Sequence, residues 1–114
     1  MKFDLIRPCI DCPFRNDKPF FFSYERVEEI LQAITDRQQT FACHKTVEFD
    51  DGEHVSSSNE QHCAGALIML ERMERPNQMM RIAERCGIYD RNKLAMDAPV
   101  YDNADDMLAA GHWT

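Results

Sequence analysis

The chain lacks a long apolar run, an excess of positive charge and an internal repeat, and each absence removes a class of function. None of its 114 residues fall in a stretch approaching the roughly 20 apolar residues that a membrane span needs. Behind Met1-Lys2 there is no apolar run of export-signal length either, and Asp4, Arg7, Asp11, Arg15, Asp17 and Lys18 follow within residues 1–20. A cytosolic protein is therefore expected. Acidic residues number 20 against 13 basic ones, a formal charge of −7, so the electrostatic footprint of a nucleic-acid binder is missing. Such a surface suits a protein partner with a basic face. No coiled-coil register runs through the sequence. At 13.3 kDa, residues 1–114 are expected to form a single domain, small enough for a metal cross-link to matter to its stability.

What the chain does have is cysteine in an informative pattern. Five cysteines are an odd number, and in a reducing compartment clustered thiols are metal ligands or catalysts more often than disulfides. Cys9-Ile10-Asp11-Cys12-Pro13-Phe14-Arg15 supplies a close pair, one edge of a tetrahedron. Cys43, in Cys43-His44-Lys45-Thr46, and Cys63, in His62-Cys63-Ala64-Gly65, each fall at an element boundary, where a ligand can be aimed without disturbing a helix or strand. The expected site is a tetrathiolate of Cys9, Cys12, Cys43 and Cys63, with His44 and His62 as alternative ligands beside the two single cysteines. Neighbours in an extended segment point opposite ways, so one of each Cys/His pair should bind and the other face away. Cys63, at a helix N-terminus, gains from the dipole. Cys86 reads as a buried structural residue, and His54 and His112 as loop or terminal side chains. Arg15 and Lys45 could offset thiolate repulsion, although for Lys45 a solvated surface role is preferred.

Zinc is favoured, because it needs only four placed ligands and commonly stabilises small cytosolic domains with long loops between ligands. A 4Fe–4S cluster is the alternative, since the Cys12-Pro13 step recurs at iron–sulfur ligands. Either filled site sums to −2 and takes the protein to about −9.

Three prolines, Pro8, Pro13 and Pro19, mark the first part of the chain as a long structured loop whose apolar side chains, Phe3, Leu5, Ile6, Phe14 and Phe20 to Phe22, should wrap onto the core. Ser23 is predicted to cap a helix with Val27, Ile30, Leu31 and Ile34 on one face. Thr40–Ala42 and Thr46–Phe49 suggest a short β ribbon, Asp50-Asp51-Gly52 a turn, and Glu53 to Gln61 a mobile surface loop. From Cys63 a helix apolar around most of its circumference should be the central element, ending before Pro76. Asn77 is predicted to cap a third helix with Met79, Ile82, Ala83 and Cys86 on its core face and Gly87 as its left-handed stop. A last helix is expected from Asn103 to Ala110, with Gly111 behind it. The fold class is α+β, mainly α: a metal-stabilised domain of three to four helices with a short β ribbon and a long N-terminal loop.

At these cysteines the chain resembles a group of small uncharacterised proteins of tailed bacteriophages and prophages that carry Cys-x-x-Cys-Pro-aromatic-Arg, Cys-His-Lys-Thr and Cys-Ala-Gly. The resemblance covers Pro8 to about Leu70 and implies a bacterial-cell setting and a metal site. The first motif is also similar to the Cys-x-x-Cys-Pro-Val-Arg stretch of WhiB-like iron–sulfur regulators, but their further cysteine and glycine-rich turn with tryptophan are missing. The expected function is non-enzymatic: a phage-type metal-binding protein that binds a host protein, in host takeover or counter-defence. The alternative is an iron–sulfur, redox-sensing regulator that binds nucleic acid. A thiol-redox enzyme is disfavoured by Pro13 and Pro19, which prevent a long helix after Cys9. A metal-dependent nuclease would need an open coordination position beside Glu60 or His62, which four thiolates deny.

Overall fold

The computed structural model describes residues 2–9, 12–17, 23–43, 48–50, 53–55 and 60–110. Among the described residues, four α-helices and one two-stranded ribbon make up the main regular structure. Helix α1, Tyr24–Thr35, starts where Ser23 Oγ accepts from the Arg26 amide at 3.2 Å, and it buries Val27, Ile30, Leu31 and Ile34, the face read from their spacing. The ribbon pairs β1, Glu48–Asp50, with β2, Glu53–Val55, in an antiparallel register that sets Phe49 opposite His54. This corrects two expectations: Thr40–Ala42 is not the ribbon's partner, and Glu53–Val55 is strand rather than loop. His44, Lys45 and His112 lie outside the described residues, as do Phe20 to Phe22 and Gly111.

Helix α2, Ala64–Arg72, is the centre of the core, with every side chain from Ala64 through Leu70 buried. An amphipathic helix hides one stripe; a helix hidden all round must be enclosed by other elements. Phe3 and Phe14 of the N-terminal segment fold onto the same core, whereas Ile6 stays exposed. Phe14 meets Phe41 edge to face with centroids 5.4 Å apart. Among the described residues no helix is long and apolar enough to cross a membrane.

Helix α3, Gln78–Arg85, is capped by Asn77, whose Oδ1 accepts from the Met80 amide at 2.8 Å. Its buried side chains are Ala83, as expected, and Met80, whereas Met79, Ile82 and Cys86, also expected on the core face, are exposed. Gly87 takes the left-handed conformation, φ +77°, and the next amide, Ile88, bonds back to the Ala83 carbonyl at 3.0 Å. A 3-10 turn at Arg91–Lys93 leads into an irregular segment, and α4, Ala104–Ala109, follows its Asn103 cap.

Residues 94–102 have no periodic pattern and are held by other elements. Arg72, in the last turn of α2, donates to the carbonyls of Met96, Ala98 and Val100 and lies 3.5 Å from Asp102. The opposite edge of this segment pairs with the first cysteine motif: Asn16 N–H donates to Pro99 at 2.9 Å and Tyr101 N–H to Phe14 at 3.2 Å.

Candidate metal centre

Two backbone arrangements aim the cysteines. The first is a tight turn in which the Cys12 amide donates to the Cys9 carbonyl at 3.1 Å and the Arg15 amide to the Cys12 carbonyl at 3.2 Å. It presents the Cys12 sulfur to the N-terminus of α2. The second is a short antiparallel pairing around an Ala42–His62 bridge, closed by Cys63 N–H to Phe41 at 2.7 Å and Cys43 N–H to Gln61 at 2.8 Å. Side chains alternate across extended backbone, so Cys43 and Cys63 share one face of this pairing while Ala42 and His62 take the other.

The result is a buried sulfur pair, Cys12 Sγ to Cys63 Sγ at 3.4 Å. That is far beyond a disulfide bond of about 2.05 Å, and none of the five cysteines is in a disulfide. The contact acts on the two thiols in opposite directions. The hydrogen bond from Cys63 holds Cys12 below the ordinary thiol range against the opposing effect of burial, with help from the Phe14 and Gly65 amides and from Arg15. The same bond, together with complete burial, pushes Cys63 well up, and the proximity of Cys12 and Cys43 adds to this. Amide donors on thiolate sulfur are what a metal-bound thiolate uses to spread its charge.

Gly65 makes the approach of the turn to α2 possible. A methyl group on its Cα would overlap Cys12 Sγ and press on Phe14 Cβ at 3.0 Å. Arg15 closes the outer side of the turn, with Nε and Nη2 on Asp17 at 2.9 and 2.7 Å and Nη1 reaching the Cys9 carbonyl at 3.4 Å. Only a fifth of its side chain is exposed, so it belongs to the site's surroundings rather than to bulk solvent. Cys9 is half-buried beside it. Among the described residues, no group of three or more His, Cys, Asp or Glu side chains is drawn together closely enough to hold an ion. The structure thus brings two of the four expected ligands together and places Cys43 on the face shared with Cys63.

His62 has another occupation. Its Nδ1 lies 3.1 Å from the Cys63 carbonyl, and its Nε2 receives the Phe41 amide at 3.4 Å and Asn77 Nδ2 at 3.2 Å. A carbonyl only accepts, so Nδ1 carries the proton and the Nε2 lone pair is already used. Phe3 stacks on the ring at 5.5 Å. His62 therefore links α3's cap to the Cys43–Cys63 pairing, and both of its nitrogens are engaged in hydrogen bonds. Burial lowers its pKa from 6.5 to about 4. Because the folded value is depressed, its contribution to stability is complete above 6.5 and is lost as pH falls through about 4, amounting to about 3 kcal/mol. Long-range proton–nitrogen NMR at pH 6 is expected to find His62 neutral with the proton on Nδ1; an imidazolium signal there would contradict this network.

Some of these roles carried no signal in the sequence. Gly65 stands inside the Cys63-Ala64-Gly65 motif, but its partner Cys12 is 53 positions away, and Asn77 reads as a helix cap without betraying the histidine on its other end. No curated protein and no solved structure matches the chain. Residues 5–114 do match the model of a family of unknown function, DUF6283, and since that match spans nearly the whole sequence the chain belongs to this family.

Proposed function

We propose that the chain is a non-catalytic domain locked by one divalent ion, with zinc in first place, and that it acts by binding another protein. The observation that carries the metal reading is the 3.4 Å sulfur pair. With zinc–sulfur bonds of about 2.3 Å, the edge of a tetrahedron is about 3.8 Å, so Cys12 and Cys63 need to part only slightly to share an ion. A 4Fe–4S cube fits less well, because each of its cysteines binds its own iron and the sulfurs then stand much farther apart. Cys9 and Cys43 are the further ligands of this reading, Cys9 from the same turn and Cys43 from the face it shares with Cys63. When bound, the ion would neutralise the converging thiolates and tie the N-terminal turn to α2.

The magnitudes favour a structural role. Zinc contributes about 10–16 kcal/mol in small metallodomains at pH 7, against a whole-domain stability of about 5–15 kcal/mol. Removing it should unfold the protein. Elemental analysis of the purified chain is expected to give one zinc and no visible absorbance, and Cys12→Ser or Cys63→Ser to lose both the metal and the cooperative thermal transition. A coloured protein with four irons would replace this reading with the iron–sulfur regulator.

The partner reading rests on the charge of −7 and on the closed coordination that four thiolates would give a zinc ion. The resemblance to phage and prophage proteins supplies the setting, a bacterial cell, and makes a host protein the partner. Metal-loaded chain used as bait in bacterial lysate is expected to retain a defined protein across several salt concentrations; recovery of nothing above background would count against binding as the mode of action.

A further inference from the structure

We propose that the outer face of α3 is a docking surface for an acidic amphipathic helix of a partner protein. The proposal rests on the reading above that the chain acts by binding a protein, but it puts recognition on a local basic and apolar patch of α3 in place of the net negative charge, and so exchanges a basic partner face for an acidic one. Helix α3 buries only Met80 and Ala83, yet it carries Met79, Ile82 and Cys86 along its outer side at the i, i+3, i+7 spacing of a helical row. Met79 and Ile82 remain 42% and 44% exposed, and Ile88, turned back over the helix end by Gly87, remains 58% exposed. Single exposed apolar side chains are ordinary; a row of them on a helix whose inner contact is so thin marks an interaction surface. The row ends at Ile88, which borders a cleft of about 170 Å³ lined by Ile6, Phe3 and Leu94 and also by Asp4 and Asp90, so it suits an apolar anchor of the partner, whose carboxylates belong beside the arginines of the helix instead.

Charge selects the occupant. Between Arg75 and Lys93 there are five basic residues and two acidic ones, in a chain whose total is −7. Arg75 and Arg91 are paired, with Asp36 and with Glu71 and Glu84. Arg81 and Arg85 are exposed, four apart on the helix, and no carboxylate of the described residues lies in ion-pair reach of either. An apolar row beside two unpaired arginines complements a helix with apolar anchors on one side and Asp or Glu beside them. A second copy of the chain would set arginine rows against each other. An anionic membrane would face eight helical residues backed by a strongly negative body.

The test is a selection from a random-peptide display library on the purified full chain, followed by titration of the enriched peptides. Enriched sequences are expected to combine Leu, Ile or Phe at helical spacing with Asp or Glu, and to bind about tenfold or more weakly to Ile82→Glu. Arg81→Glu with Arg85→Glu is expected to weaken binding and flatten its salt dependence. Met79→Glu repeats the test should Ile82→Glu fail to keep the wild-type circular dichroism. Peptides that bind all these variants as they bind the wild type would place docking elsewhere, overturning the α3 assignment while leaving the protein-binding reading intact. Enrichment of nothing would overturn the α3 assignment, while the protein-binding reading is decided by the lysate experiment above. Stronger binding to phosphatidylserine vesicles than to any selected peptide would show a lipid surface and overturn the proposal.

Discussion

Gly65→Ala is expected to destabilise the protein by about 1–3 kcal/mol and, on the zinc reading proposed above, to weaken metal binding about tenfold or more. Helix propensity alone gives the opposite sign, since alanine in place of glycine within a helix usually gains up to about 1 kcal/mol. Here the added methyl would occupy the space of Cys12 Sγ and crowd Phe14 Cβ. Neither neighbour can yield cheaply. Phe14 is fully buried against Phe41, and Cys12 is fixed by its turn and by the Gly65 amide itself. Relief would require the whole turn to back away from α2, lengthening the sulfur pair and giving up the amide donor together. The control is Gly87→Ala, which meets nothing within 4 Å but must hold φ +77° with a side chain. That strain costs about 1–2 kcal/mol and lies outside the sulfur pair, so metal affinity should be unchanged. Urea unfolding with zinc competition on both variants checks the contrast; a Gly65→Ala protein as stable and as tight-binding as the wild type would mean that the turn does not sit on α2.

The sequence was readable wherever one residue's neighbours along the chain determine its role. Ser23, Asn77 and Asn103 cap helices because their side chains reach amides three positions ahead, and the α1 stripe follows from a single apolar period. Helix α3 failed that test for a specific reason. Met79 and Met80 are adjacent and chemically identical, so periodicity could place either inside, and the tie is broken by tertiary contacts: Asn77 is buried between the Met80 amide and His62, which draws Met80 inward. Spacing and boundaries singled out the cysteines, of which the structure brings Cys12 and Cys63 together. Which of them meet was not legible, because the Ala42–His62 pairing that orients Cys43 and Cys63 joins the strand-like Thr40–Ala42 to a segment twenty residues on that has no strand pattern of its own.

The segment 94–102 was illegible in the sequence because one side chain from elsewhere holds it, and that side chain carries the second large expectation. Arg72→Met is expected to lower the unfolding free energy by about 3–5 kcal/mol, and Arg72→Lys by roughly half as much. Arg72 is mostly buried and uses both terminal nitrogens on the carbonyls of Met96, Ala98 and Val100. Hydrogen bonds from a charged donor contribute about 1.5–3 kcal/mol each, and part of that sum is recovered when water reaches the freed carbonyls. Methionine keeps the apolar stem, so the loss reports the guanidinium rather than packing. Lysine keeps the charge but, as a point donor, cannot span three acceptors. The same substitution should reach the sulfur site, because Pro99 and Tyr101 on the clamped segment pair with Asn16 and Phe14 of the cysteine turn. Hydrogen exchange is therefore expected to quicken at the Asn16 and Tyr101 amides in Arg72→Met while the Ser23-capped end of α1 stays protected. Exchange that rose equally in both places would indicate general loosening, and a stability loss under 1 kcal/mol would show that the clamp is not what orders the segment.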